Sequence, residues 1–248
     1  MEEIQRKELK WKESNENYYS YISWLGNTYA SWERDNKITS EDIPKRMITD
    51  VGAYVGDATL ARMLYQYELY KKVIELSGDI AEVGIWRGGS FLFWAKLVKI
   101  FECYNATHVY GFDWFKGMAP SEVDDARQAG EYSGDYIHLL DLVRWHDVEG
   151  IASVENMDVT KGLSKFVKDR PWLRLKLLYI DCGIKEVLEA SFEYLYPRLV
   201  TNGILLMDHF NFESSPTESD VVEQYIGKNV VKQMPFARNP TGYIVKEK

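Results

Sequence analysis

From residue 79 onward, short apolar runs alternate with stretches whose apolar positions recur every three or four residues. "IAEVGI", "THVYGFD", "IASVENMD", "LKLLYID" and "GILLMD" read as strands. Continuous apolar runs suit strands covered on both faces, and a 3.6-residue period suits helices packed against them. Helices are predicted from Ser90, over "YIHLLDLVRWHDV", near 160–168 and near 184–196. Strands separated by helices predict an α/β fold, doubly wound about a mainly parallel sheet. "NVVKQMPF" and "TGYIVKEK", parted by the turn-forming "ARNP", predict an antiparallel C-terminal hairpin at one edge.

The pattern before residue 79 is helical throughout. Tyr18, Ile22, Leu25, Tyr29 and Trp32 share one face, and a second helix runs from an N-cap at Asp57 through Leu60, Leu64, Tyr67 and Ile74 to a stop at Gly78. Residues 1–78 are thus expected to form a helical extension or cap, and 79–248 the main domain. The aromatic face requires cover, from its own domain, from a second copy in a homodimer, or from a substrate beneath it; a dimer is the expectation.

Five acids, Glu82, Asp113, Asp158, Asp181 and Asp208, fall at or near the carboxyl ends of the predicted strands. Ligands of open α/β sheets bind along that edge. One such acid is ordinarily a cap or a solvated side chain, whereas five in succession along one rim suggest a site. Residues 84–89 read G-x-x-x-G-G, without the G-x-G-x-x-G spacing of a dinucleotide fold. An acid before close-approach glycines favours a ligand with positive charge and hydroxyl or amine donors. S-adenosylmethionine meets that demand. The backbone at Gly84 and Trp86 would follow its methionine part, with Glu82 nearby, Asp113 on the ribose and Asp158 near the adenine. Gly88, Gly89 and Ser90 open the next helix, and an ordinary tight turn is the alternative reading of the glycines.

Composition narrows the function further. Acids outnumber bases by 38 to 30, for a net charge of -8, which argues against a broad nucleic-acid or anionic-membrane surface. The charged start lacks the apolar core of a secretory signal, and no run approaches the ~20 apolar residues of a membrane span. A cytoplasmic location is expected. Two cysteines, Cys103 and Cys182, are too few for a disulfide framework and are expected as reduced thiols.

"YELYKKVIELSGDIAEVGIWRGGS", "GFDWFKGMAP", "LLYIDCGIKEVLEASFEYLYPRL" and "GILLMDHFNF" together resemble the macrocin O-methyltransferase family, sugar methyltransferases with cephalosporin hydroxylase-like relatives. The resemblance covers residues 57–225. It implies a class I, Rossmann-like methyltransferase fold, S-adenosylmethionine as methyl donor, and commonly a divalent metal, Mg or Mn, that binds neighbouring hydroxyls of a sugar-containing substrate. Family members commonly carry a D-x-D pair after the fourth strand and two acids after the fifth. Here Asp181 is followed by Cys182 and Gly183, and Asp208 by His209, so the second acid of each pair is absent. Carried over by position, Asp181 becomes a metal ligand and proton acceptor, Asp208 a second ligand, and His209 a third ligand or the base itself. Imidazole suits manganese or iron at least as well as magnesium; a metal-free site with His209 as general base is the alternative.

The loop over 117–136 has the length of a lid, or of a plain insertion. His138 and His146 read as helix-face residues, Trp86, Trp94 and Trp114 as core or adenosine-pocket walls, and Arg87 as a turn residue or a substrate clamp. A sugar O-methyltransferase is therefore expected. Its rivals are a hydroxylase-like relative on the same fold and a non-catalytic assembly partner that keeps a donor pocket.

Overall fold

The computed structural model describes residues 20, 23–24, 26–35, 37, 39, 41–119, 121, 130–211, 216–227, 231–237 and 239–247. Backbone contacts divide the chain into two compact units, Met1–Arg62 and Met63–Lys248. In the first, residues 26–34 are helical and Tyr29 is buried, its ring 5.7 Å from that of Trp32 and 5.9 Å from that of Tyr54. Tyr18, Ile22 and Leu25 of the expected aromatic face lie outside the described residues. Helices α1 (Asp42–Thr49) and α2 (Val51–Tyr54) follow. Helix α3 (Asp57–Val73) begins in this unit and buries Tyr65, Leu69, Tyr70 and Val73 along its later turns. It ends before Gly78: the Leu76 amide donates to the Val73 carbonyl (3.0 Å), and Gly78 lies against the Lys176 backbone as the chain enters the sheet.

Among the described residues, the second unit is built on six strands: β1 (Asp79–Val83), β2 (Val109–Asp113), β3 (Ala152–Asn156), β4 (Leu175–Ile180), β5 (Leu199–Met207) and β6 (Gly242–Val245), ordered β3-β2-β1-β4-β5-β6. The first five are parallel and β6 runs antiparallel to β5. Every residue of β4 is buried, as its near-continuous apolar run demands of a strand covered on both faces. The connecting helices are α4 (Gly89–Phe101), α5 (Tyr136–Trp145), α6 (Val159–Asp169) and α7 (Lys185–Tyr194), with α8 (Thr217–Tyr225) before the last strand. Helix α6 buries Val159, Leu163, Phe166 and Val167, one stripe at helical spacing. The doubly wound, mainly parallel sheet with an antiparallel C-terminal edge is thus as expected. The hairpin's first arm amounts, among the described residues, to a single bridge, Lys232 to Tyr243.

Lys176, the second residue of β4, is fully buried. Its ammonium lies 2.6 Å from the Glu102 carboxylate, which also accepts from the hydroxyls of Tyr70 (2.7 Å) and Thr107 (2.6 Å). Satisfying every partner is what permits a charge pair in such a place.

The strand order reverses between β1 and β4. The chain leaves β1 for β2 and β3 on one side, then returns to lay β4 on the other. Crevices that bind ligands form beyond the carboxyl ends of strands at such a switch point.

Candidate active site

Along this rim stand the ends of β3, β2, β1, β4 and β5, in that order. Gly84 follows β1 with φ +89°, and a Cβ there would run into the carbonyl oxygen of Asp181. The Gly84 amide donates to the Phe112 carbonyl (2.9 Å), and the Asp181 amide to the Val83 carbonyl (2.9 Å). Glycine is therefore required where the backbones of β1 and β4 close on one another at the switch point.

Glu82 is wholly buried, and its Oε1 accepts a short hydrogen bond from the Ser90 hydroxyl in the first turn of α4. It thereby ties the strand to the helix that follows. Gly88 caps α4 in the left-handed region at φ +82°, and a Cβ there would strike Leu139; at Gly89 a Cβ would meet nothing within 4 Å. Open space at a helix N-terminus is suited to a carboxylate or polar ligand group.

The Trp86 amide donates to Asp113 Oδ2 (2.8 Å), and its Nε1 to the Ser133 carbonyl (3.2 Å). The Arg87 guanidinium lies 4.3 Å over the Trp86 ring. Asp113 Oδ1 accepts from the Phe115 amide (2.7 Å). Burial pushes the Asp113 carboxyl up, against the pull of the amides of Phe115, Trp86 and Trp114. Both oxygens are thus engaged in tying the turns after β1 and β2. Asp158 is the N-cap of α6: Oδ1 accepts from the Thr160 amide (3.1 Å) and hydroxyl (2.6 Å), and Oδ2 meets Lys161 Nζ (2.7 Å). Burial raises its pKa, but Lys161 and Thr160 outweigh that and hold it below the usual range.

Across the switch point, Asp181, Asp208 and His209 each bring one ligand atom to within 4.8 Å of the others. Tyr179 Oη donates to Asp208 Oδ1 (2.6 Å) and also lies 3.2 Å from Asp181 Oδ2, spanning the two carboxylates. Asn239 Nδ2 donates to Asp208 Oδ2 (2.9 Å) and to the Asp208 carbonyl (3.1 Å). His209 Nε2 is 4.0 Å from Asp208 Oδ2. Asp208 is buried at 3% exposure, while Asp181 is half-buried and the His209 side chain is 29% exposed. The exposed members are the ones a ligand can reach. Two carboxylates and an imidazole are a donor set fit for a divalent cation such as Mn or Mg.

Three residues of this centre carry no mark in the sequence reading: Tyr179, Asn239 and Glu218. Tyr179 could have been found, since it precedes Asp181 by two on a strand and so shares its face. Glu218 is fully buried, and its Oε2 accepts from the His209 amide (2.6 Å). Burial pushes its carboxyl well above the usual range, and the nearby charges of Asp208 and Asp181 act in the same sense. An acid at the start of a helix ordinarily signals a solvated end, so nothing in the pattern marked this one as internal. Cys182, in place of an acid, has its thiol pushed up to about 12, first by burial and then by the charges of Asp181, Asp113 and Glu218.

In the loop over 117–136, residues 120 and 122–129 lie outside the described residues. His146 is exposed at the end of α5, and no helix among the described residues is long and apolar enough to cross a membrane.

The chain has counterparts among known proteins. The chain is similar to the 8-demethyl-8-(2,3-dimethoxy-alpha-L-rhamnosyl)-tetracenomycin-C 4'-O-methyltransferase of Streptomyces olivaceus, with 29% identity over 61% of this chain and 59% of that one. It is also similar to the mycinamicin III 3''-O-methyltransferase of Micromonospora griseorubida, with 26% identity over 54% of this chain and 55% of that one. The matched stretch thus spans less than two thirds of either relative. In fold it resembles the calicheamicin methyltransferase CalS11, with a TM-score of 0.75 at 19% identity over 84% of this chain and 87% of that one. Residues 2–234 match the macrocin O-methyltransferase (TylF) family, and the chain belongs to it.

Proposed function

We propose that the protein transfers a methyl group from S-adenosylmethionine to a hydroxyl of a sugar, carried on a nucleotide, a glycosylated natural product or a surface polysaccharide. The observation that carries this reading is the meeting of Asp181, Asp208 and His209 within 4.8 Å, beside the glycine turn of the switch point. The two curated relatives, named as O-methyltransferases of a rhamnosyl-tetracenomycin and of mycinamicin III, support the substrate class.

The donor is assigned to the turn from Gly84 to Ser90. Glu82 acts there by holding Ser90, and Asp113 by holding the Trp86 amide. Methyl transfer to oxygen is an in-line displacement, so fixing both reactants accounts for much of the rate. The acceptor hydroxyl belongs over the acid cluster. A divalent ion held by Asp181, Asp208 and His209 would lower the pKa of a sugar hydroxyl. Asp181, the more accessible carboxylate, receives the hydroxyl proton. Tyr179 and Asn239 hold Asp208 in place while this happens. In the metal-free alternative the imidazole of His209, 4.0 Å from Asp208 Oδ2, takes the proton instead.

The test is to incubate the protein with methyl-labelled donor and a panel of nucleotide sugars and glycosides, with Mn, with Mg and with chelator. Label in a sugar product is expected, and chelator is expected to suppress it. Product formed equally in chelator would favour His209 as base, and no labelled sugar from any acceptor would contradict the assignment.

A further inference from the structure

We propose that Glu218, in the first turn of α8, is a positioning residue that fixes His209 within the acid cluster. The inference rests on reading that cluster as the metal-binding reaction centre.

The segment from Asp208 to Asn211 leaves the end of β5 and is gripped at three points. Asn239 holds the carbonyl and Oδ2 of Asp208 at 3.1 and 2.9 Å. Glu218 Oε2 accepts the backbone N–H of His209 at 2.6 Å, and Ser219 Oγ accepts that of Asn211 at 2.7 Å. Glu218 and Ser219 are adjacent on one helix, so α8 clamps both ends of the turn that presents the imidazole. Glu218 is wholly buried, and its Oε1 has no hydrogen-bond partner among the described residues. Burying a carboxyl costs more than one hydrogen bond to an amide returns. Stability alone does not account for it, whereas the placing of His209 does. Groups that orient a metal ligand from behind commonly change metal affinity by about 10–100-fold when removed.

Glu218→Met fills a similar volume and removes the acceptor; Glu218→Gln keeps an oxygen able to accept from His209. Mn(II) affinity is measured by electron paramagnetic resonance for the intact protein and both variants, with S-adenosylhomocysteine affinity and thermal unfolding in parallel. Glu218→Met is expected to weaken Mn(II) by about 10-fold or more while changing the melting temperature little, since it removes the cost of burying the carboxyl together with the one hydrogen bond that opposes that cost. S-adenosylhomocysteine binding should be unchanged, and Glu218→Gln should recover most of the Mn(II) affinity. Unaltered Mn(II) binding in Glu218→Met, or a parallel loss of Mn(II), S-adenosylhomocysteine and thermal stability, overturns the inference alone. Failure of the unsubstituted protein to bind Mn(II) removes the metal reading, and this inference with it.

Discussion

Cys182 occupies the middle position of the D-x-D pattern, and its surroundings make it inert. With the thiol pushed up to about 12 by burial and neighbouring carboxylates, almost none is thiolate at neutral pH, and the thiolate is the nucleophile. Cys103 is exposed. Half-buried Cys182 should therefore react with a disulfide reagent much more slowly than exposed Cys103 in the native protein, and both at similar rates after unfolding; equally fast reaction of both in the native state would contradict the raised thiol pKa. Gly84 lends itself to an equally sharp test. Gly84→Ala must adopt φ +89° and place a methyl against the Asp181 carbonyl, costing at least about 2 kcal/mol. Urea unfolding measures this, and a stability equal to wild type would mean that the close approach of β1 and β4 is wrong.

At the level of elements, the question for Asp158 is whether it serves a helix or a ligand. As the N-cap of α6, its change to Ala should cost about 1 kcal/mol and leave S-adenosylhomocysteine affinity nearly unaltered. A loss of donor affinity with no loss of stability would return it to the adenine. This case shows how far the sequence could be read. Continuous apolar runs marked β1, β4 and the later part of β5 because both faces are covered there, whereas the edge strand β3 is largely half-buried; helical spacing marked α6 and α7 because each buries one stripe. The acids at strand ends were visible as a row. The contacts they make within the fold were not: Asp113 and Asp158 accept from amides of the turns they sit in, and a one-dimensional pattern does not report such contacts. Lys176 and Glu218 were hidden for a related reason: each is a charged residue whose burial depends on partners brought from distant elements.

At the scale of the whole molecule, the buried pair of Lys176 and Glu102 links β4 to the end of α4. Burial raises the Glu102 pKa, but Lys176, Thr107 and Tyr70 outweigh it and hold it below its usual 4.5. A carboxyl depressed in the folded state contributes stability above its unfolded pKa, and that contribution is lost as pH falls through the folded value. The stability gap between wild type and Glu102→Gln should thus be widest near neutrality and narrow only as pH falls below the ordinary carboxylate range. Lys176→Met, which strands a buried carboxylate, should cost about 3 kcal/mol or more at pH 7. Chemical denaturation across pH tests both, and a gap that widened in acid would reverse the assignment. This anchor lies at the amino end of the strands, away from the rim, so the fold is secured at one edge and the chemistry assigned to the other.

The central claim is that Asp181 takes the acceptor proton while the turn from Gly84 to Ser90 holds the donor independently. Its most direct test is the rate of labelled methyl transfer at saturating donor in wild type and Asp181→Asn, with donor affinity measured on the same samples. The account predicts a rate at least ~100-fold lower with donor affinity essentially preserved. Undiminished transfer in Asp181→Asn would contradict it.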